Sequence, residues 1–254
     1  MDAATARQWI ERWDLQQEVG QPDREERFTA LIDAVEEVAG EMEPLVLDIG
    51  CGPGSLGIRL VRRLPGATVI GVDADPVTLA LGRAAYGEEI TFADTDLRDP
   101  AWPSRLALGR PADAAVSTTA LHWLPEESLR TLYKELAAIL RPGGVFLNGD
   151  GLREDPEQAP VLDRLGRALT DREDRRRFPE GHRESWSGWW EAVAADPSLA
   201  SLYTERAVRD LTGHHGPTGA RLLRTHADAL RDAGFAEVGT LWQRGHSRLL
   251  CAIR

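Results

Sequence analysis

The residues best suited to chemistry lie in one short segment, 45–57, which reads LVLDIGCGPGSLG. An apolar run leads to Asp48, and glycines follow at positions 50, 52, 54 and 57. Glycine has no Cβ and tolerates positive φ, so a glycine-rich turn lets the backbone approach a ligand closely. A helix placed after the turn offers unpaired N–H groups at its start. The segment therefore predicts a strand, a turn and a helix that form a nucleotide-binding edge.

Acidic residues recur at the ends of the first three predicted strands, as Asp48, Asp73 and Asp94. The two carboxylate oxygens of Asp73 can accept both hydroxyls of a ribose. Asp94 can accept an adenine amino proton while Leu97 packs on the ring. A single nucleoside with a short zwitterionic tail explains all three acids, whereas a pyrophosphate would prefer fewer negative groups near the turn.

Hydrophobic periodicity places these residues on alternating strands and helices. Strands are predicted over 45–49, 67–72, 89–93, 112–117, 145–149, 236–243 and 247–253. Helices are predicted over 3–18, 24–40, 55–64, 76–86, 126–140 and 218–233, with two or three more between 151 and 215. This alternation predicts an α/β fold with a mostly parallel sheet, whose ligands bind at the carboxyl ends of the strands.

Four regions follow from this pattern. They are an N-terminal helical cap (1–42), an α/β core with the nucleotide site (43–150), a helical lid or substrate wall (151–215), and a C-terminal helix and strand hairpin that completes the core (216–254).

Composition excludes several function classes. The net charge of −11 argues against a phosphate backbone as partner, so no nucleic acid is expected. No apolar run is long enough to span a membrane, and the N-terminus has no signal-peptide h-region. Cys51 and Cys251 form no metal or redox pattern. The expected compartment is the cytoplasm, and the expected assembly is a monomer or a homodimer.

Five segments in order resemble the class I S-adenosylmethionine (SAM) dependent methyltransferases. VLDIGCGPG, VIGVDADP and FADTDL resemble the first three motifs of that family. DAAVSTTALHWLP resembles its fourth strand and the segment after it, and ILRPGGVFL the next helix, turn and strand. The resemblance covers about 45–150, is of the bacterial small-molecule type, and has a core similar to the trans-aconitate methyltransferases. It implies a doubly wound, seven-stranded Rossmann-like sheet with an antiparallel last strand.

The resemblance also implies roles for individual residues. SAM would be the cofactor and S-adenosylhomocysteine (SAH) the product. Cofactor contacts would come from Asp48, Gly50, Gly52, Gly54, Asp73, Ala74, Asp94, Thr95, Asp96, Leu97, Thr118, Thr119 and Arg27. Among these, the glycines would pass the methionine portion and Asp48 would organise the loop. Arg27, with Arg24 as the alternative, would hold the SAM carboxylate.

Methyl transfer releases a neutral leaving group, so only a hydroxyl-type nucleophile needs a base. His122 follows the fourth strand and is either that base or a packing residue. Asp150, and the pair His214 and His215, are further candidates, each with a turn as its plain structural alternative. No cysteine or acid accompanies the histidines at ligand spacing, so no metal site is predicted.

Tryptophans supply the predicted substrate pocket. Trp186, Trp189 and Trp190 recur at helical spacing, and Trp123 follows His122. They form either an apolar or aromatic pocket for a small molecule or, alternatively, lid packing or a dimer surface.

Two other function classes stay open at this point. Gly52, Gly54 and Gly57 also form a literal GxGxxG, which would suit an NAD-dependent oxidoreductase. No Tyr-x-x-x-Lys pair accompanies it. A SAM-binding cyclase or regulatory protein would carry the same cofactor motifs without methyl transfer. The leading prediction is a methyltransferase acting on O, N or C of a small molecule, with specialised metabolism as the expected setting.

Overall fold

The computed structural model describes residues 1–18, 21, 23–40, 43–178, 184–211 and 218–254. Its strands are β1 (Leu45–Ile49), β2 (Thr68–Asp73), β3 (Thr91–Asp94), β4 (Ala112–Thr118), β5 (Leu140–Gly151), β6 (Glu237–Arg244) and β7 (Ser247–Ile253). Its α-helices are α1 (Ala3–Gln17), α2 (Arg24–Ala39), α3 (Ser55–Arg63), α4 (Pro76–Tyr86), α5 (Glu126–Ile139), α6 (Pro160–Arg177), α7 (Trp186–Ala195), α8 (Ala200–Val208) and α9 (Leu223–Asp232). Short 3-10 helices lie at Trp102–Leu106, Leu121–Trp123 and Thr218–Arg221.

The strands form one sheet in the order β3-β2-β1-β4-β5-β7-β6. Neighbours from β3 to β5 are parallel, and β7 is antiparallel to both β5 and β6. The order reverses between β1 and β4, and that switch point opens a crevice at the carboxyl ends of the strands. The predicted seven-stranded doubly wound sheet with its antiparallel last strand is confirmed.

Two apolar layers enclose the sheet. One contains Trp102, Tyr133 and Phe146 together with residues from α5 and α9. The other contains Phe28 and Leu31 from α2 with residues from α3. All five residues of β1 are buried, which is typical of a parallel strand covered on both faces.

A third apolar cluster lies beside α4 and connects the N-terminal helix α1 with the later helices α7 and α8. It contains Ala6, Trp9 and Ile10 of α1 and Val77 of α4, packed on residues from α7 and the start of α8. The cap helix α1 and the later helices therefore share one core. The division into four regions stays a prediction.

Sequence boundaries differ from the structure mainly near turns. The strand predicted over 145–149 begins earlier, since β5 includes the turn at Pro142 and Gly143. The segment predicted as a helix over 218–233 is divided into Thr218–Arg221 and α9. Three described helices, α6 to α8, lie between β5 and α9, as predicted. None of the described helices is long and apolar enough to cross a lipid bilayer.

Candidate cofactor and acceptor site

A cavity of about 690 Å³ lies at the carboxyl ends of β1, β2 and β4. Its volume is within the range of small-molecule sites, about 300–1,000 Å³. The glycine turn, the ends of the neighbouring strands, α1, α7 and the segment after α8 line it. The predicted residues that line it are Gly50, Gly52, Asp73, Ala74, Asp96, Leu97, Thr118, Thr119, His122, Trp123, Trp186 and Trp190.

The glycine turn approaches the cavity with backbone atoms alone. Gly50 and Gly52 have φ of +69° and +53°, a region that favours glycine. A Cβ on Gly50 would lie 2.4 Å from the Cβ of Ala120. Gly54 serves a different purpose, because it packs on the Phe92 ring and begins α3 without lining the cavity.

Asp73 organises the turn and faces the cavity. Its Oδ2 accepts a 2.7 Å hydrogen bond from the Gly52 N–H. Its Oδ1 accepts bonds from the Ala74 and Asp75 N–H groups at 2.8 and 2.9 Å. Burial and the neighbouring Asp75 charge raise the pKa of Asp73 to about 6. A carboxylate oxygen has two acceptor sites, so Oδ2 keeps one for a ligand hydroxyl.

Arg27, predicted to contact the cofactor, is fully buried and is not among the residues that line the cavity, although its partners Gln21, Thr118 and Thr119 are. Its guanidinium donates to Gln21, Thr118 and Thr119 through one nitrogen, at 2.6 to 3.2 Å, and to Ser247 through the other. Its Nε has no hydrogen-bond partner, and no carboxylate of the described residues forms a salt bridge with it. Burial lowers its pKa to about 10, so the group stays charged at neutral pH.

Arg27 thus forms no direct ion pair with a described residue, although the Asp150 charge acts on it, and this has a consequence for ligand binding. A buried charge is costly unless it is paired. Arg24, on the same helix, is paired with Asp14 at 3.0 Å. Arg27 is therefore the arginine whose surroundings suit an incoming carboxylate.

Thr119 carries backbone strain at the end of β4. Its φ is +55°, which is unfavourable for a β-branched residue. Its hydroxyl lies between Arg27 and Gln21, at 3.2 and 3.1 Å. Such strain persists where the surroundings enforce it, which is common at functional sites.

Asp94, predicted to accept the adenine amino proton, is not among the residues that line the cavity. Its carboxylate accepts two hydrogen bonds from Arg209, at 2.6 and 3.0 Å. Asp96 and Leu97 reach the cavity from the loop after β3, whereas Thr95 is buried behind it. The sequence could not show this pairing, because Arg209 directly follows α8 and lies 115 residues after Asp94 in the chain.

Asp48 lies behind the turn and does not line the cavity. Burial raises the pKa of its carboxyl to about 7, an effect that the Gly57 N–H partly opposes. Neither of its carboxylate oxygens makes a hydrogen bond with a described residue, so the role of Asp48 in organising the loop stays a prediction.

His122 and Asp150 form a buried pair at the cavity wall. Nδ1 of His122 lies 2.9 and 3.0 Å from the two carboxylate oxygens of Asp150. Burial would raise the pKa of Asp150, but the charge and hydrogen bond of His122, with Arg27, lower it to about 2. An ionised Asp150 accepts the Nδ1 proton, so in the neutral ring Nε2 is the basic nitrogen. His122 lines the cavity, and its Nε2 makes no hydrogen bond with a described residue.

The tryptophans divide into wall and core. Trp123 and Trp186 have nearly parallel rings, 6.1 Å between centroids, and both line the cavity with Trp190. Trp189 is fully buried between α1 and α7, where its ring lies 5.8 Å from that of Trp9. The pocket predicted from the three lid tryptophans is therefore built from two of them, and Trp189 supports it from behind.

Several lining residues were not singled out by the sequence, and three of them, Trp13, Gln16 and Arg206, are informative. Trp13 and Gln16 come from α1, whose helical spacing indicated only a buried face. Arg206 of α8 bonds to Asp75 at 2.5 Å and lies 3.8 Å from the Trp190 ring centroid. Nothing in the local sequence indicates that pairing, since the partners are far apart in the chain.

The predicted residues His214 and His215 lie outside the described residues. Among the described residues, no group of three His, Cys, Asp or Glu side chains could hold a metal ion.

Comparisons with known proteins agree with this geometry. A family model described as a methyltransferase domain matches residues 46–144. A trans-aconitate 2-methyltransferase from Azoarcus sp. (strain BH72) is 38% identical over 134 residues, 53% of this chain and 49% of that protein. Another from Methylobacterium radiotolerans is 30% identical over 176 residues, 69% of this chain and 57% of that protein. The chain thus spans only about half the length of these curated relatives.

Solved structures show the same fold. An O-methyltransferase family protein from Burkholderia thailandensis has a TM-score of 0.57 and 21% identity, covering 96% of this chain and 59% of that one. Magnesium protoporphyrin IX methyltransferase from Synechocystis PCC 6803, with bound SAH, has a TM-score of 0.54 and 20% identity. That match covers 96% of this chain and 94% of that one. At these identities the likeness concerns the fold alone.

Proposed function

Because the chain carries a class I SAM-dependent methyltransferase domain, we propose that it transfers a methyl group from SAM to a hydroxyl oxygen of a small molecule. The buried Arg27, which has no carboxylate partner among the described residues, supports cofactor binding most directly. The His122–Asp150 pair supports an acceptor that must lose a proton.

The residues at the cavity fit SAM. Thr118 and Thr119 line the cavity and are hydrogen-bonded to Arg27 behind them, so this end would offer the methionine carboxylate hydroxyl groups and a nearby positive charge. The free acceptor site on Asp73 suits a ribose hydroxyl. The Gly50 turn, which packs against Ala120 too closely for a side chain at position 50, lines the same cavity with backbone atoms.

The chemistry that SAM supplies when bound is an electrophilic methyl carbon on a sulfonium. The protein's own task is to place and deprotonate the acceptor. With SAM bound, a bond from the acceptor oxygen to the methyl carbon would form as the carbon–sulfur bond breaks, and the electron pair of that bond would stay on the sulfur of SAH. The hydroxyl proton passes to Nε2 of His122, and the resulting imidazolium is stabilised by the Asp150 carboxylate. The proton then leaves to solvent.

A carboxylate acceptor would have no proton to lose. The His122–Asp150 pair would then have no role in the reaction, and this is the reason we favour a hydroxyl over the carboxylate implied by the names of the relatives.

We also propose the cytoplasm as the compartment, in line with two free cysteines, and a monomer or homodimer as the assembly.

Calorimetric titration tests the cofactor assignment. SAM and SAH should bind, and NAD and NADH should not. Arg27→Leu should weaken SAM binding by about tenfold to a hundredfold, the value of a lost charged hydrogen bond. Arg24→Leu is the matched control, since Arg24 is a buried arginine of the same helix that is already paired with Asp14.

A second probe separates a local loss from general damage. 5′-Methylthioadenosine lacks the amino acid carboxylate, so its affinity should not change in Arg27→Leu. Equal loss for SAM and for this nucleoside would refute the role of Arg27. Binding of the nicotinamides alone would refute the proposed cofactor.

A further inference from the structure

The acceptor side of the cavity has an aromatic wall beside His122, the proposed base. Four tryptophans line it: Trp13 from α1, Trp123 after β4, and Trp186 and Trp190 from α7. The His122 and Trp123 rings are 5.3 Å apart with planes at 34°, and Trp123 in turn stacks on Trp186. The base therefore lies at one end of a continuous indole surface.

Core packing accounts for only part of this wall: Trp190 belongs to the third apolar cluster and Trp13 packs against that cluster, but Trp186 does not belong to it. Trp186 keeps 39% of its surface exposed, whereas its neighbour Trp189 is fully buried. The ring centroids of Trp13 and Trp190 lie 5.3 and 5.7 Å from that of Trp186, so both rings pack against the Trp186 ring. A large, rigid and partly exposed apolar surface that faces a cavity is typical of a ligand site.

The charges around the same cavity disfavour a polyanionic acceptor. The described lining residues include four aspartates, at positions 73, 75, 96 and 210, but only two arginines. Arg98 is paired with Asp96 at 2.7 Å, and Arg206 is paired with Asp75 at 2.5 Å. Neither arginine is left to bind a carboxylate, and the excess of two aspartates over arginines gives the described lining a net negative charge that would repel one.

From the tryptophan wall and these paired charges, we propose that the acceptor is an uncharged planar aromatic molecule whose ring hydroxyl is methylated. The inference rests on the proposed function, because it concerns the acceptor of that reaction. The ring lies along Trp123 and Trp186, where offset stacking adds to the burial of apolar surface. The hydroxyl at its edge then meets Nε2 of His122. The preferred substrate thus differs from the tricarboxylate in the names of the curated relatives.

Binding to the SAH-loaded protein tests this, with three probes compared by calorimetry and tryptophan fluorescence. 2-Naphthol is planar, decahydro-2-naphthol has the same skeleton and hydroxyl without the flat ring, and trans-aconitate is a trianion. We expect 2-naphthol to bind at least tenfold more tightly than either of the others. Equal or tighter binding of decahydro-2-naphthol or trans-aconitate would overturn the proposal.

Variants then locate the site. Trp123→Leu and Trp186→Leu should each weaken 2-naphthol binding by about three- to tenfold, the scale of one aromatic pair. Trp242→Leu is the matched control, since Trp242 lies on β6 among the apolar residues next to α2 and α3. Unchanged naphthol binding in both wall variants would refute the wall as the acceptor site.

SAH affinity is measured first in every protein, so that the two proposals can fail separately. If the unmodified protein does not bind SAH, the proposed function is refuted. Normal SAH binding without a preference for the planar probe would refute only the aromatic acceptor.

Discussion

Replacing Asp150 with asparagine isolates the electrostatic part of the His122–Asp150 pair. The substitution keeps the size of the side chain and leaves an amide oxygen that can still accept the Nδ1 proton. It removes the negative charge that stabilises an imidazolium during proton transfer. We therefore expect a loss in kcat without a comparable loss in SAM affinity.

The size of the loss follows from the pKa of Asp150. Burial opposes its ionisation, yet the pKa falls from 3.8 to about 2, chiefly through the charge and hydrogen bond of His122. This shift corresponds to about 2 kcal/mol of net interaction. If that interaction is lost in the transition state, kcat falls by about 30-fold. His122→Ala removes the proposed base and should lower kcat by about 100- to 10,000-fold.

Single-turnover SAH release at saturating SAM, at pH 7 to 8, measures this effect with a phenolic acceptor. Because the Asp150 pKa is lowered, its carboxylate stays ionised throughout that range, and the comparison is free of its titration. Asp113→Asn is the matched control, since Asp113 is also buried but pairs with Arg110 and Arg141 at the start of β4. An Asp150→Asn protein that keeps kcat within twofold would refute the assignment of His122 as a base held by Asp150.

Three further predictions concern the cofactor side. Asp73→Ala should weaken SAM binding by about 1–3 kcal/mol in calorimetry, because it loses a ligand contact and the bond to the Gly52 N–H; unchanged affinity would contradict the ribose assignment. Gly50→Ala should lower Tm and SAM affinity together, because its Cβ would clash at 2.4 Å, whereas Gly109→Ala, with open space around it, should change neither. Asp48→Asn should raise Tm relative to the unmodified protein more at pH 8 than at pH 4. A raised folded-state pKa makes ionisation destabilising as pH rises from 3.8 to about 7, and a constant difference in Tm would argue against it.

Local sequence determined the sheet and the cofactor turn. Each of the signals used is local: the apolar run of β1, the glycines after it, and the acid that ends β2. Each reflects strand burial or backbone conformation and not a partner from a distant segment. Because parallel strands end at one edge, these signals also predicted that Gly50, Asp73 and Thr118 would line one cavity, as they do. The order of the five motifs was sufficient for the family.

Side-chain partners from distant segments decided what the sequence could not. Asp94 has the right position for a ligand, yet its carboxylate is taken by Arg209. From the sequence, Asp150 is an acid near the end of a strand. The register of β4 and β5 places its carboxylate beside His122.

The tryptophan wall shows the same division between sequence and tertiary structure. Helical spacing marked Trp186, Trp189 and Trp190 as a group, but the packing of α1 against α7 buried Trp189 and added Trp13. Periodicity tells which residues share a helix face, whereas exposure to a cavity depends on which helix packs against that face. The sequence thus determined the fold and the cofactor turn, and only the tertiary structure decided the composition of the acceptor wall.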